Sequence, residues 1–277
     1  MRAIAVARKE VADAIRSRVL RAIVAVVAVV NTLVVAVTLL VPDGPSVYSA
    51  IGGMAQIAGV LVPIVALVAA YLSIAGERES GSIKVLLGLP PTRSAVLAGK
   101  FLGRSAVVIV GILAGYAVAA LVAVAAFGSV PAVAFAGATL LAAVLGVIFV
   151  GIAIGISGAT ATRSRAMTVS IATYLLLTLF WDAVPELAAM ALGTSGGSAG
   201  TVPAWYLLLR VLSPTGAFNA LVVELLGVST GTPGIAATVA GPVPFYLQPV
   251  ALAAVLVAWT AVPLAYGHRA FRRADLS

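Results

Sequence analysis

Long apolar segments alternate with short polar segments along this chain, and the pattern predicts an all-α membrane protein. The apolar segments are residues 19–41, 51–75, 101–126, 132–157, 167–191 and 247–267. Each segment is long enough to cross the ~30 Å hydrocarbon core of a bilayer, because a helix needs roughly 20 residues for that distance. We therefore predict a polytopic protein with six transmembrane helices, in a single membrane domain that covers residues 1–277.

The segment before the first apolar stretch has a different, amphipathic pattern. Ile4, Ala7, Val11 and Ile15 recur at intervals of three and four residues, and basic residues occupy many of the remaining positions. Apolar residues at this spacing form one stripe of a helix. We predict an amphipathic helix over residues 2–18 that lies at the surface of the inner leaflet, with this stripe toward the acyl chains.

The chain between the fifth and sixth apolar segments, residues 192–246, predicts an external loop. Residues 204–227 are apolar, but Arg210 and the Ser213-Pro214 break lie within them. A central Arg costs ~2.5–3.5 kcal/mol in a membrane helix, which argues against a seventh span. A seventh span would also move the basic C-terminal tail to the outside. We predict one or two short helices that lie at, or dip into, the outer face.

The distribution of basic residues orients the predicted helices. Every Lys and Arg except Arg210 falls in segments assigned to the inner side. Because basic loops stay in the cytoplasm, we predict a multi-pass protein of the cell membrane with both termini cytoplasmic. The net charge of +8 then faces anionic lipid headgroups, so we expect membrane lipids, and not nucleic acid, as a partner.

The chain contains few residues that could bind a metal, form a disulfide or bind a nucleotide. There is no cysteine, only one histidine, and the four methionines are scattered, so we predict no disulfide and no metal site. A Gly-x-x-x-x-Gly-Lys-Ser/Thr phosphate loop does not occur, so we expect no ATP hydrolysis by this chain. Asp182 and Glu186 lie four residues apart near the outer end of the fifth segment, where a functional role and plain solvation are both open.

The charged loop over residues 76–100 predicts a short docking helix. Between Gly81 and Pro90, apolar residues that include Leu86 and Leu87 recur at helical spacing. An apolar face on a cytoplasmic loop favours contact with a protein partner. The alternative is an interfacial helix that lies on lipid, and the periodicity does not separate the two.

Three stretches resemble the permease subunits of type 2 ABC exporters. Within that class they are most similar to NosY-like permeases, which partner a separate ATPase in nitrous-oxide-reductase maturation. The stretches are Ala7-Arg8-Lys9-Glu10; the Gly-Glu-x-Glu-x-Gly-x-x-x-x-Leu-Leu-x-x-Pro pattern over residues 76–90, followed by Arg93 and Gly99-Lys100-Phe101-Leu102-Gly103; and Leu212-Ser213-Pro214-Thr215-Gly216-Ala217-Phe218. The last departs from the Asn-Pro-x-x-x-Phe segment of that group, because Ser213 stands where Asn is usual.

The resemblance implies a transport subunit that is not itself an enzyme. In this family the loop after the second span carries the coupling helix that docks on a nucleotide-binding subunit. The positions that match this role are Glu77, Glu79, Gly81, Leu86, Leu87 and Pro90. The resemblance further implies a partner ABC ATPase that holds the ATP and Mg, no cofactor in this chain, and a homodimer or heterodimer of permease subunits. The exported substrate is not identified by the sequence.

A second class of function, an intramembrane serine protease, is suggested by one short motif. Gly155-Ile156-Ser157-Gly158 matches the Gly-x-Ser-Gly of rhomboid-type proteases. A nucleophilic Ser157 needs a general base, and His268 is the only histidine. The alternative is a small packing residue at a helix end, since such short matches are common in a chain with 27 glycines.

Pairs of glycines four residues apart leave a similar choice open. Small residues at this spacing let two membrane helices approach closely. The close partner is either a second subunit or another helix of the same chain. The pairs are Gly99/Gly103, Gly111/Gly115 and Gly151/Gly155.

Overall fold

A computed structural model describes residues 2–16, 18–41, 46–81, 92–193, 201–231 and 233–274. Most of this part of the chain is helical, which confirms the predicted all-α class. The elements are α1 (Arg2–Arg16), α2 (Arg18–Thr38), α3 (Val47–Ala70), α4 (Ala75–Glu79), α5 (Arg93–Phe127), α6 (Ala132–Ala159), α7 (Arg163–Tyr174), a π-helical turn (Leu175–Leu179), α8 (Ala183–Ala191), α9 (Ala204–Val211), α10 (Pro214–Leu226), α11 (Ile235–Thr238), a 3-10 turn (Phe245–Leu247) and α12 (Pro249–Arg273).

Among the described residues, five helices are long and apolar enough to cross a membrane by themselves. They are Arg18–Thr38, Val47–Glu79, Arg93–Phe127, Ala132–Ala159 and Pro249–Arg273. Two further helix pairs, α7 with α8 and α9 with α10, are bent by 65° and 112° at a short break. The structure therefore allows five to seven spans. The predicted number of six holds if the first pair is one bent span and the second pair does not cross.

Helix α5 begins earlier than the apolar pattern predicts. The Thr92 hydroxyl caps it by accepting a hydrogen bond from the Ala95 N–H at 3.2 Å, and Gly128, with φ of 77°, ends it. The helix has 35 residues, or roughly 50 Å at 1.5 Å per residue, and so is longer than the hydrocarbon core is thick. Residues 93–100, which were predicted as loop, are instead the first turns of this helix.

The glycine pairs of α5 pack against other helices of the same chain. A Cβ atom added at Gly99 would lie 2.5 Å from the Val6 Cβ, and one at Gly115 would lie 2.5 Å from a Val27 methyl. Such distances are far below van der Waals contact, so only glycine lets α1 and α2 lie this close to α5. The interpretation of these glycines as a subunit interface is therefore wrong, and packing within the subunit is confirmed.

The third pair, Gly151/Gly155, packs α6 against α12. A Cβ at Gly155 would lie 2.3 Å from the Pro263 carbonyl oxygen. Helix α6 is mostly buried in the bundle, whereas α12 presents most of its surface outward. The bundle thus has α6 near its centre, with α3, α5 and α12 packed around it.

The predicted amphipathic helix is present as α1, but its packed face differs from the predicted stripe. Val6 is buried against Gly99, whereas Ile4 is 67% exposed. The face that contacts α5 also carries Glu10, whose Cβ lies over Gly103. This face of α1 packs against α5 because the glycines of α5 leave room for its side chains. The position of the exposed side of α1 on lipid stays a prediction.

The break between α9 and α10 is held by hydrogen bonds from other elements. Trp181 Nε1 donates to the Leu209 carbonyl at 2.9 Å, and Trp259 Nε1 donates to the Leu212 carbonyl at 2.7 Å. These are carbonyls that the end of α9 leaves without helical partners. Ser213 caps α10 by accepting from the Gly216 N–H at 2.9 Å. Short helices are thus present in this segment, as predicted; their position at the outer face stays a prediction.

Candidate functional site

Four charged residues at one end of the bundle form an ion-paired group, which we call the Lys100 cluster: Glu10, Glu77, Lys100 and Arg104. The Lys100 side chain is only 2% exposed, and its Nζ donates to Glu10 Oε1 at 2.9 Å and to Glu77 Oε1 at 2.6 Å. Arg104 contacts the second oxygen of Glu10 at 3.0 Å. Two carboxylates and two cations leave the group neutral, which is what allows the Lys100 charge to be buried.

The cluster joins three elements that are far apart in sequence. Glu10 lies on α1, Glu77 on the short helix α4, and Lys100 on the first turns of α5. Gly103 makes the pairing possible because it leaves room for Glu10 next to α5. A Cβ atom at position 103 would lie only 2.5 Å from the Glu10 Cβ, which is too close for van der Waals contact. All three paired residues occur in the stretches that carry the family resemblance. Only Glu77 was predicted as a site residue; Lys100 and Glu10 were missed, although the motifs contain them.

The other predicted coupling residues fall into two groups. Glu79 ends α4, and its carboxylate accepts from the Arg163 N–H at 2.6 Å, with the Arg163 Nε 3.9 Å from the other oxygen. Gly81 follows α4 with φ of 74°, a left-handed conformation that glycine adopts without strain. Leu86, Leu87 and Pro90 lie outside the described residues, so the predicted docking helix is not tested.

Helix α4 is fixed to the rest of the bundle at both ends. The Ser157 hydroxyl, on α6, accepts hydrogen bonds from the backbone N–H groups of Ile74 and Ala75, at 2.9 and 3.0 Å. At the other end, Arg78 Nη1 donates to the Thr160 carbonyl at 2.9 Å. Helix α4 is therefore held against the end of α6 and the start of α7 as well as by the Lys100 cluster.

Ser157 and His268 are each engaged by other groups. Ser157 is completely buried and holds the start of α4, as described above. His268 Nε2 is 2.8 Å from the Ser94 hydroxyl. Within the described chain there is no hydrogen bond between Ser157 and His268, so the arrangement does not favour the protease alternative. The interpretation of Ser157 as only a small packing residue is also incomplete, because its hydroxyl accepts the two backbone hydrogen bonds that hold α4.

Replacing Ser157 with alanine tests this structural role. We expect Ser157→Ala to lower the free energy of unfolding by roughly 1–3 kcal/mol for each buried N–H left without a partner. Thermal unfolding of the purified protein measures the change. Ser164→Ala, at an exposed position in the first turn of α7, is the matched control and should unfold like the wild type. Equal stability of the two variants would contradict the assigned hydrogen bonds.

The start of α5 is tied to the end of α12 by Arg93. Its Nη1 lies 2.7, 3.0 and 2.9 Å from the carbonyl oxygens of Phe271, Arg272 and Ala274. The guanidinium also lies over the Phe271 ring, 5.6 Å from its centroid. A cation at the C-terminal end of a helix satisfies carbonyls that have no helical partner. Helices α1, α4, α5 and α12 thus meet in one charged, cross-linked layer at this end of the bundle.

The comparisons with known proteins agree on one class of protein. The profile of the family described as "ABC-2 family transporter protein" matches residues 4–276. The chain is 30% identical to "Probable ABC transporter permease protein NosY" of Pseudomonas aeruginosa, over 97% of both chains. It is 31% identical to the protein of the same description from Stutzerimonas stutzeri, again over 97% of both.

Fold and comparisons together define a multi-pass membrane protein of the transport class. The chain belongs to the ABC-2 transporter family, and within it to the ABC transporter permeases. This confirms the resemblance found in the sequence, including the likeness to NosY-like permeases. An ABC transporter permease works with an ATPase subunit, and such a permease is generally not an enzyme itself.

Proposed function

We propose that this chain couples ATP hydrolysis by a separate ATPase subunit to export of a substrate across the cell membrane. The observation that carries the proposal is the Lys100 cluster. It joins α4, which opens the predicted coupling loop, to the N-terminal helix α1 and to the long helix α5. The ATP and Mg belong to the partner. Two permease subunits, alike or different, assemble with the ATPases.

The cluster gives a physical route for the coupling. An ATPase that moves the loop after α3 also moves α4, which is connected to it directly. Because Glu77 shares Lys100 with Glu10, α4 cannot shift without moving α1 and α5 or breaking a buried ion pair. A buried pair is costly to break, so the elements move together. Helix α5 is one continuous helix of 35 residues, and it carries the displacement to the opposite end of the bundle.

Two neighbouring glutamates allow a matched test of this route. We expect Glu77→Gln to leave the ATPase bound but to reduce substrate export per ATP hydrolysed by about tenfold, which corresponds to 1.4 kcal/mol. Glu79→Gln removes a more exposed contact, to Arg163, and should have little effect. Export and ATP hydrolysis are measured together in liposomes that contain the assembled transporter. An equal coupling ratio for both variants would contradict the role of the cluster.

The orientation of the chain in the membrane is part of the proposal. We infer that both termini and the Lys100 cluster are cytoplasmic, and that the segment between α8 and α12 is external. Because the chain has no cysteine, single cysteines report directly on this topology. Cysteine at the exposed Ser229 should react with an impermeant thiol reagent in intact cells, and cysteine at the exposed Ser164 only after permeabilisation. The reverse pattern would overturn the orientation.

A further inference from the structure

A polar cavity lies between α3, the π-helical turn after α7, and the α9/α10 break. Its volume is about 220 Å³, and its lining includes Gln56, Thr178, Asp182, Arg210, Thr215 and Asn219. A charged pocket in this apolar bundle was not predicted from the sequence. We propose that the cavity binds a small solute that carries an oxyanion, with Arg210 as its counter-ion. The inference concerns the permease alone and does not depend on the coupling route above.

The cavity contains polar groups that the protein itself leaves unpaired. Thr178 Oγ1 and Asn219 Oδ1 are buried, and neither has a hydrogen-bond partner in the described part of the chain. Nor does any described carboxylate lie within ion-pair distance of Arg210. Buried polar groups are almost always paired, because an unpaired one costs about 1–3 kcal/mol. Arg210 and the Thr178 hydroxyl can donate hydrogen bonds to an oxyanion, and a donor group on the same solute would satisfy the Asn219 amide oxygen.

The cavity reaches deep into the bundle. Gln56 follows the start of α3 at Val47 by nine residues, or roughly 14 Å along a helix axis. That is about half of the ~30 Å hydrocarbon core. Two irregular backbone features border the cavity at this depth: the π-helical turn Leu175–Leu179 and the break between α9 and α10. Irregular backbone at membrane depth occurs where it lines a polar cavity, and π-turns are frequent at functional sites.

Two charged residues line the cavity, Asp182 and Arg210, and the more buried of the two favours an anion. Glu186 and Glu224 are not among the lining residues; they accept hydrogen bonds from the Tyr206 hydroxyl and from the Ile235 N–H, the latter at 2.7 Å. Asp182 is exposed, so solvent screens its charge. Arg210 is partly buried, and its charge is therefore less screened.

The backbone around Arg210 adds to this preference. The first turn of α10, with Thr215 and Gly216, also lines the cavity. The positive end of a helix dipole attracts anions, as do the broken helices of transporters that hold anionic substrates. The volume limits the ligand to a small molecule. A carboxylate, sulfate or phosphate group would each meet the same recognition.

Single cysteines test the proposal in purified permease without the ATPase. Cysteine at Asn219 is treated with two thiol reagents of similar size, the anionic sulfonatoethyl and the cationic trimethylammonioethyl methanethiosulfonate. After normalisation to the exposed Ser229→Cys, we expect the anionic reagent to react about tenfold faster. Adding Arg210→Gln should abolish the preference, and adding Asp182→Asn should increase it. Cysteine at the buried Ala138, 1% exposed, should react with neither reagent.

Slower labelling in the presence of a simple oxyanion would show that the cavity binds anions, and not only that the reagent can reach the cysteine. Sodium sulfate, exchanged for chloride at constant ionic strength, should slow labelling of the Asn219→Cys thiol, and Arg210→Gln should remove this protection. No reaction with either reagent, equal rates, a preference for the cationic reagent, or absence of sulfate protection would each overturn the proposal. If Asn219→Cys does not fold, judged by size-exclusion chromatography, cysteine at Thr178, which also lines the cavity, gives the same test.

Discussion

Replacing Lys100 with methionine is expected to lower the free energy of unfolding by about 3–5 kcal/mol. Methionine is also long and unbranched, so the change removes the charge with a modest change in side-chain size. It takes the Lys100 ammonium away from the Glu77 carboxylate and leaves Glu10 with Arg104 alone. A buried charge that loses its partner costs far more than an exposed ion pair contributes. Unfolding of the purified permease in denaturant and its abundance in membranes measure the loss.

Two further variants separate the charge effect from general damage to α5. Leu102→Met is a change on the same helix at a side chain that is 49% exposed, and it should alter stability by less than about 0.5 kcal/mol. Adding Glu77→Gln to Lys100→Met neutralises the carboxylate that has lost Lys100 and keeps the Glu10–Arg104 pair. We expect this double variant to recover much of the lost stability. If Lys100→Met were as stable as Leu102→Met, the cluster would not hold the three helices together.

The spans could be predicted from sequence because the bilayer imposes their length. The predicted 132–157 and observed Ala132–Ala159 nearly coincide, since hydrocarbon thickness and turn residues both define that helix. The start of α5 was missed because charges at Arg93 and Lys100 resembled a loop. The available signal was Thr92 directly before them, a helix N-cap residue. Charge patterns mark the membrane boundary, whereas capping residues mark the end of the helix.

The sites were harder to predict because they depend on contacts between distant residues. Lys100 and Glu10 are separated by 90 positions, and only the close approach of α1 to α5 brings them together. The polar cavity combines Gln56, Arg210 and Asn219, which lie on three separate helices. In the sequence, each of them is a single polar residue within an apolar segment. Periodicity assigns a face to one helix. It does not show which faces of different helices meet.

The second large effect is expected at the predicted docking helix. Leu86 and Leu87 follow α4, which the Lys100 cluster holds in place. If the two leucines fill a groove on the ATPase, replacing both with aspartate buries unpaired charge at that interface. Such burial costs several kcal/mol, enough to weaken binding by orders of magnitude. The changes lie outside every predicted span, so the permease should still insert at normal abundance.

Capture of the ATPase by affinity-tagged permease tests the central claim most directly. Wild-type permease should co-purify with a partner that carries a Gly-x-x-x-x-Gly-Lys-Ser/Thr loop and hydrolyses ATP. Leu86→Asp/Leu87→Asp should lose both the partner and the ATP hydrolysis. Ala161→Asp/Ser164→Asp adds the same charge at exposed positions around the start of α7 and should retain both the partner and the ATP hydrolysis. Retention of the partner by the double leucine variant, or no ATPase with the wild type, would contradict coupling through this loop.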